Sequence, residues 1–116
     1  MSGFIRKGYQ TTKQRSKKSE AQAAVIFGGK VQPASGAINR FDLKADVKSE
    51  RFLVDDKVTD NESYSLKLAT WRTLSDQAWK NRRRPALRVN FTRGEAVIVL
   101  DETTFADMKA AWEKTL

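Results

Sequence analysis

The pattern of apolar and polar positions along the chain predicts a first helix over residues 16–27. Ser16 or Ser19 can cap its start, and Gly28-Gly29 follows its end, where glycine commonly terminates a helix. Residues 30–41 contain proline, glycine and asparagine, so we expect a short strand and a loop there. The expected apolar face of the helix consists of Ala21, Ala24, Val25 and Phe27.

Two further helices are predicted from apolar residues at helical spacing. Thr104 is expected to cap the last helix. The second helix covers residues 64–81, and we assign its apolar residues to the core and not to a base-stacking stripe: Tyr64, Leu68, Trp71, Leu74, Ala78 and Trp79. The inner face of the last helix is predicted to be Phe105, Met108, Ala111 and Trp112.

Strand-like runs separate these helices. Residues 42–49 and 51–59 are too close for anything but a tight hairpin near Ser49-Glu50. Residues 86–91 and 96–100 form another pair, joined by a turn at Arg93-Gly94. The resulting order of helix, strands, helix, strands and helix indicates an α/β fold.

The composition limits the chemistry of the chain. Its 116 residues suffice for one domain with one core. It has no cysteine and no histidine, which excludes disulfide frameworks, zinc fingers, haem ligation and triads that need imidazole or thiolate. Any catalysis must therefore use carboxylates and lysine.

The net charge is +8, from 22 Lys and Arg against 14 Asp and Glu. Basic side chains that neutralise phosphates release counterions, so this charge indicates a nucleic-acid partner. A basic surface that only keeps the protein soluble is the alternative. The first residues lack the apolar core of a signal peptide, and no run of about 18 apolar residues occurs, so we expect a soluble cytoplasmic protein with no membrane partner.

Basic residues concentrate near the start of the chain, where residues 1–19 contain no acidic residue. We interpret residues 1–15 as a flexible basic arm that lies along a phosphate backbone, and residues 16–116 as a single folded domain. A disordered terminus without a function is the alternative. The basic residues of this stretch are Arg6, Lys7, Lys13, Arg15, Lys17 and Lys18.

Candidate chemistry concentrates on the strand over residues 51–59. Side chains alternate across a strand, so Asp55 and Lys57 are expected on one face and Asp56 on the other. If the two hairpin strands pair, the carboxylate of Asp46 approaches that of Asp55, and two such ligands form half of a Mg²⁺ site. Lys57 can then hold or deprotonate a water aimed at phosphorus. The alternative is an edge strand that ends in a solvated charge cluster, in which Lys57 only pairs with Asp55.

These residues resemble the signature of the PD-(D/E)XK nuclease superfamily. Asp46 is followed after eight residues by Asp55-Asp56-Lys57, and a helix bearing Glu20 and an Ala-Ser-Gly-Ala loop precede it. The chain is most similar to small phage and archaeal Holliday-junction resolvase-like endonucleases, over roughly residues 16–100. The resemblance implies a restriction-endonuclease-like core, with a mixed sheet of about four to five strands flanked by helices in the order α-β-β-β-α-β-β-α.

The resemblance also implies roles for single residues. Asp46 and Asp55 would be catalytic ligands of Mg²⁺, for which Mn²⁺ would substitute, and Lys57 would be the catalytic lysine. The backbone carbonyl of Asp56 would be a further ligand. Glu20 would face the metal or its water, although a glutamate near a helix N-terminus is also favourable without a metal.

Two more positions follow from the same likeness. Ser35 matches a small hydroxyl residue that contacts the scissile phosphate or a metal water, or else is an ordinary turn serine. Lys67 corresponds to a polar or basic residue facing the phosphate, or else is a solvated helix lysine. The chain departs from the signature at Ala45, which replaces proline, and at Asp55, which replaces the commoner glutamate and demands a closer approach of metal to strand.

A second basic cluster, Arg82, Arg83 and Arg84, is expected to bind a phosphate backbone outside the site, or else is a charged helix end. Since one domain with one site cuts one strand, we expect a homodimer, joined through the last helix or through exchanged N-terminal segments.

The predicted function is therefore a Mg²⁺-dependent endonuclease selective for branched DNA, resembling Holliday-junction resolvases, in the cytoplasm of a bacterium or a phage-infected host cell. The alternatives are a non-catalytic nucleic-acid-binding protein that retains the nuclease scaffold and, third, a basic assembly or packaging protein.

Overall fold

A computed structural model of the chain describes residues 12–33 and 45–116. The order of its elements confirms the predicted α/β fold with the arrangement α-β-β-β-α-β-β-α. The helices are α1 (Thr12–Phe27), α2 (Leu68–Lys80) and α3 (Glu102–Glu113), and the strands are β1 (Lys30–Val31), β2 (Val47–Lys48), β3 (Phe52–Thr59), β4 (Arg84–Phe91) and β5 (Ala96–Val99).

The five strands form one mixed sheet, in which their spatial order follows their order along the chain. β3 and β4 are parallel, and the other neighbouring pairs are antiparallel. Because parallel strands need a crossover, α2 runs between β3 and β4 and covers one face of the sheet. The predicted tight turn between β2 and β3 is present, and Ser49 N donates to Phe52 O over 2.9 Å.

Each face of the sheet carries its own core, because side chains alternate along β3 and β4. Val54 and Ala86 face α1, and both are fully buried. Leu53 and Leu87 face α2 and are buried equally well. This alternation separates Asp56, on the α1 face, from Asp55 and Lys57, on the α2 face, as the sequence predicted.

α1 begins at Thr12, earlier than the predicted start at residue 16, and ends at the two glycines as predicted. Gly28 has φ +66°, a conformation that glycine adopts without the steric cost of a Cβ. The predicted apolar face is wrong in part, because Val25 is 80% exposed and Ser19 and Ala23 are buried instead. Small residues allow α1 to lie close to the sheet, a preference that apolar periodicity alone does not register.

α2 confirms the predicted core assignment for Leu74 and Ala78, which are buried, and for Trp71, which packs partly against them. The assignment is wrong for Leu68 and Trp79, whose side chains are 60% and 53% exposed. Both lie at the ends of the helix, turned away from the stripe that the other three residues form.

α3 is capped by Asp101, whose side chain accepts a hydrogen bond from Thr104 N over 2.9 Å, so the predicted cap at Thr104 is wrong. Thr104 is instead fully buried. The predicted inner face of α3 is also wrong, because every residue from 105 onwards is exposed.

Within the described residues, no helix is long and apolar enough to cross a membrane. Residues 42–44 of the predicted strand over residues 42–49 lie outside the described part of the chain, and of the remaining five only Val47–Lys48 form a strand, so the predicted bounds are too wide there.

Candidate functional site

Two carboxylates meet where β2 joins β3. Asp46 immediately precedes β2, and its backbone N–H donates to Val54 O over 2.9 Å, which fixes it beside β3. Its Oδ2 accepts a hydrogen bond from Asp56 N over 2.7 Å. At this position Asp55 raises the pKa of Asp46, which places the two side chains close together. The approach of Asp46 to Asp55 that the sequence predicted is therefore present.

Burial of this pair changes its protonation. Burial, the hydrogen bond with Asp55 and the neighbouring negative charges of Asp55 and Glu20 together raise the pKa of Asp46 to about 8, against the lowering effect of the Asp56 N–H. At neutral pH the Asp46 carboxyl therefore holds a proton unless a cation replaces it.

Lys57 lies on the same face of β3 as Asp55, with 3.4 Å between its Nζ and Asp55 Oδ2. Partial burial by itself lowers the pKa of this ammonium, but the charge and hydrogen bond of Asp55 outweigh burial, and the pKa lies above its ordinary value. Tyr64 and Asp46 act in the same direction. Lys57 is therefore a cation at neutral pH and not a free base.

Glu20 extends the acidic group from the α1 side. Burial and the negative charge of Asp56 raise its pKa, while a hydrogen bond with Asp46 lowers it. The Glu20 side chain therefore lies near enough to Asp46 for the two groups to influence each other's protonation.

A buried polar network holds α1 against the sheet beneath the site. Arg88 on β4 forms an ion pair of 2.9 Å with Asp56, whose side chain is fully buried. Ser19 on α1 donates to Asp56 over 2.5 Å and accepts from Arg88 over 3.1 Å. Because Ser19 is anchored in this way, the next residue on α1, Glu20, is held beside Asp46.

The backbone of Asp56 faces the same edge of β3 as Asp46. The backbone groups of Phe52 and Val54 bond towards β2, and alternation along the strand directs those of Asp56 the same way. The Asp56 N–H accordingly meets Asp46. Its carbonyl thus lies at the same edge of β3 as Asp46.

A cavity of about 210 Å³ opens beside Asp55, on the face covered by α2. Gln77 contributes a polar side chain to its wall and is only 8% exposed. The cavity is lined by Ala45, Asp55, Thr70, Thr73, Leu74 and Gln77.

Sequence reasoning missed Gln77, Tyr64 as a neighbour of Lys57, and the Arg88 network. Two of these carry a signal in the sequence. Gln77 interrupts the apolar stripe of the second helix, and Arg88 interrupts an otherwise apolar strand. Polar residues in such positions are expected to have buried partners.

The residues predicted to contact DNA differ in their exposure and in whether they pair with other residues of the protein. Lys17, Lys18 and Lys67 are exposed, as is Arg82, which has φ +58°. Arg15 is paired with Asp60 over 2.7 Å. The Lys13 side chain and Ser35 lie outside the described part of the structure.

Arg83 and Arg84 bond within the protein. Arg83 Nε donates to Ser49 O over 2.8 Å, and Arg84 pairs with Asp107 over 2.5 Å. These two guanidinium groups therefore hold β2 and α3 against the ends of β3 and β4.

The residues around Asp46 and Asp55 supply part of the ligand set of a divalent cation. Across residues 12–33 and 45–116, no three acidic side chains are arranged to hold one ion together. Asp46 and Asp55 nevertheless provide two carboxylates, and the Asp56 carbonyl lies at the same edge of β3 as Asp46. Mg²⁺ in proteins is bound through one or two carboxylates and keeps several waters, so this donor set suits it.

Comparison with known protein families, with curated proteins and with solved structures finds no match to this chain. The function must therefore be inferred from the chemistry of the site.

Proposed function

We propose that this protein is a Mg²⁺-dependent endonuclease that hydrolyses DNA phosphodiester bonds, selective for branched DNA in the manner of the Holliday-junction resolvases that its motif resembles. The observation that carries the proposal is the placement of Asp46 beside β3, fixed by its hydrogen bonds with Val54 O and Asp56 N, next to Asp55, whose Oδ2 lies 3.4 Å from the ammonium of Lys57. Two desolvated carboxylates beside a lysine are costly to assemble in a fold unless a cation offsets their charge.

Asp46, Asp55 and the carbonyl of Asp56 would hold the ion. Mg²⁺ supplies Lewis-acid stabilisation of the charge that develops on the phosphoryl oxygens, and Mn²⁺ would substitute for it. The binding of either ion requires the proton on Asp46 to leave.

Lys57 would act as a cation. Its raised pKa excludes deprotonation of a water by the free amine at neutral pH in the absence of metal. An ammonium at this position can donate a hydrogen bond to a water aligned for in-line attack, and it adds positive charge near the phosphate. Glu20, which reaches Asp46, would orient a second water from the opposite side.

The proposed partner is DNA, because a net charge of +8 on 116 residues favours a polyanion. Exposed lysines on α1 and Arg82 at the end of α2 offer phosphate contacts. Selectivity for branched shape is favoured over sequence reading because phosphate contacts carry no base information. Cleavage of both strands requires two sites, so the active form would be a homodimer, in the cytoplasm of a bacterium or a phage-infected cell.

A cleavage assay tests this proposal. Purified protein is incubated with a labelled four-way junction and with linear duplex, each in Mg²⁺ or in excess chelator. We expect junction cleavage in Mg²⁺ and none with chelator, with less cleavage of the duplex. Absence of a product from both substrates in Mg²⁺ contradicts an enzymatic function.

Asp55→Asn separates binding from cutting. It removes a metal ligand and a negative charge near the phosphate, so cleavage should fall by about 10³-fold or more, while junction binding is retained or tightened. Asp76→Asn, an exposed aspartate of α2, is the matched control and should cleave like the wild type. Equal loss of binding and cleavage in Asp55→Asn contradicts the assigned role.

A non-catalytic nucleic-acid-binding protein that retains this scaffold is the second candidate. It is favoured by the lack of a three-acid group among the described residues. Junction binding that is unaffected by Mg²⁺ or chelator, without cleavage, would support this candidate.

A further inference from the structure

A cavity of about 680 Å³ opens at the end of the sheet where β3 and β4 begin, between the C-terminal end of α2 and α3. Its volume lies within the range of about 300–1,000 Å³ that is typical of ligand sites. None of Asp46, Asp55 and Lys57 lines it, so it is separate from the acidic pair. We call it the aromatic cavity, because Trp79 forms part of its wall.

Trp79 offers an aromatic surface to this cavity. The sequence assigned it to the core, but it is 53% exposed. The guanidinium carbon of Arg84 lies 6.0 Å from the centre of the indole ring, at the outer limit of a cation–π contact. Arg84 is itself held by Thr104 over 3.1 Å and by Asp107. The ring therefore has a fixed cation beside it and still exposes about half of its surface, on which a ligand ring can stack.

The charge of the cavity suits an anion. Four arginines line it, against two acidic residues. Of the acids, Asp107 is paired with Arg84, and Glu50 is exposed, so solvent and salt screen its charge. Arg51 and Arg82 are exposed, and neither forms an ion pair with another described residue. The cavity therefore combines an aromatic wall with two cations that are available to a ligand.

Arg82 has a backbone conformation that is unusual for its residue type. It has φ +58° in the turn that ends α2, where Arg82 N donates to Trp79 O over 3.0 Å and Arg83 N donates to Ala78 O over 2.8 Å. This pattern is a Schellman motif, whose left-handed position is usually glycine. Non-glycine residues in such conformations cluster at functional sites. A role for the guanidinium of Arg82 in the cavity accounts for arginine at this position.

A basic path leads from the aromatic cavity towards the acidic pair. A neighbouring cavity of about 300 Å³ shares Glu50 and Arg83 with it and adds Lys30 and Lys48 to the lining. Lys48 lies on β2, two residues after Asp46, which is about 7 Å along an extended chain. One polynucleotide strand can therefore place its backbone on these lysines while it occupies both the aromatic cavity and the acidic site.

We propose that the aromatic cavity binds one unpaired nucleotide of a DNA strand, with the base stacked on Trp79 and the phosphates on Arg51 and Arg82. The proposal rests on the proposed partner, DNA, and adds how branched DNA is distinguished from duplex. A base inside a duplex must first leave its stack, whereas an unpaired base at a branch point offers its face directly. Because every base has a face that stacks, this selection needs no sequence reading.

Binding of a labelled thymidine oligonucleotide of about ten residues to the full chain, measured by fluorescence anisotropy in chelator, tests the proposal. Trp79→Ala should weaken binding by about tenfold, the effect of losing one base stack, and Trp79→Phe should restore most of it. Trp112→Ala is the matched control, because Trp112 is 65% exposed and does not line the cavity, and it should bind like the wild type. Equal affinities of Trp79→Ala and Trp112→Ala would overturn the proposal.

An abasic strand of the same length separates the base from the phosphates. The wild type should bind it about tenfold more weakly than the thymidine strand, and Trp79→Ala should bind both strands equally. Equal binding of the two strands by the wild type would show a site for phosphate alone and overturn the proposal. So would displacement of the labelled strand by free thymidine monophosphate, or by an acidic tyrosine-containing peptide, as effective as displacement by the unlabelled strand.

Arg82→Gly separates binding from folding. Glycine suits the left-handed position, so the melting temperature should equal or exceed that of the wild type. Affinity for the thymidine strand at low salt should nevertheless fall by about threefold or more, because a phosphate contact is lost. A lower melting temperature or an unchanged affinity would overturn the role of Arg82.

These outcomes are distinct from those of the cleavage assay, because binding is measured without metal. Junction cleavage by a protein whose strand binding does not depend on Trp79 would contradict only this inference. Binding that depends on Trp79, without cleavage in Mg²⁺, would contradict only the nuclease.

Discussion

At the scale of single residues, the site depends on how far Asp46 is removed from water. An exposed aspartate is charged at neutral pH and needs no partner, whereas burial and the hydrogen bond with Asp55 raise the pKa of Asp46 to about 8. The sequence predicted the proximity of the two acids from strand pairing. It gave no indication of this burial, because the degree of desolvation depends on how α1 and the sheet pack around the pair.

The raised pKa of Asp46 predicts how stability depends on pH in chelator. Folding favours the protonated form of the Asp46 carboxyl. Its contribution to the free energy of unfolding is therefore complete below about pH 4, the pKa of this group in the unfolded chain, and is lost as the pH rises towards 8. The free energy of unfolding should therefore fall over this range, by less than about 1.4 kcal/mol per pH unit because partial exposure screens the charge. Urea denaturation at a series of pH values measures it.

Asp46→Asn provides the comparison, because asparagine does not titrate. Its stability should depend less on pH than that of the wild type, although Glu20, whose pKa is also raised, retains part of the slope. Saturating Mg²⁺ should reduce the fall in the wild type, since the ion replaces the proton. If the free energy of unfolding depended on pH equally in the wild type and in Asp46→Asn, the assignment of the raised pKa to Asp46 would be contradicted.

At the scale of elements, strand identity and order could be predicted, because alternation and turn residues are local properties. The sequence pattern did not specify that β3 and β4 pair in parallel, since this pairing depends on the crossover through α2. Helix faces were less predictable. α1 packs against the sheet through Ser19 and Ala23, and the large apolar side chains of α3 are exposed. Apolar spacing identifies a face that needs covering but not whether the same chain covers it.

The network between α1 and the sheet predicts a large loss of stability when it is broken on one side. Arg88→Met leaves Asp56 buried and unpaired, which should lower the free energy of unfolding by about 3–5 kcal/mol. Arg84→Met, which removes a half-exposed pair with Asp107, should cost about 1 kcal/mol or less. Both are measured by urea denaturation. A similar small loss in both variants would show that the buried pair does not anchor α1.

At the scale of the whole molecule, only some of the basic side chains that give the net charge of +8 are free to contact a binding partner. Arg83 and Arg84 bond within the protein, whereas Arg82, Lys17 and Lys18 are exposed. The sequence could locate the basic cluster but not this division, which depends on the partners that folding brings near each guanidinium.

The salt dependence of DNA binding tests that division. Arg82→Ala should reduce the slope of log K against log salt by about 1, because one phosphate contact is lost. Arg83→Ala should leave the slope unchanged but lower the stability, since its guanidinium bonds Ser49 and Asn81. Binding to a labelled junction over a salt series, in chelator, measures both. Equal changes of slope in the two variants would contradict the division.

The central claim is that Asp46 and Asp55 together hold a divalent cation. Crystals of the protein soaked in Mn²⁺ above pH 8, with data collected for anomalous scattering, test it most directly. The account predicts an anomalous peak about 2 Å from an oxygen of each carboxylate, absent from Asp55→Asn crystals treated alike. No peak at this position in the wild type, or a peak that persists in the variant, would contradict it.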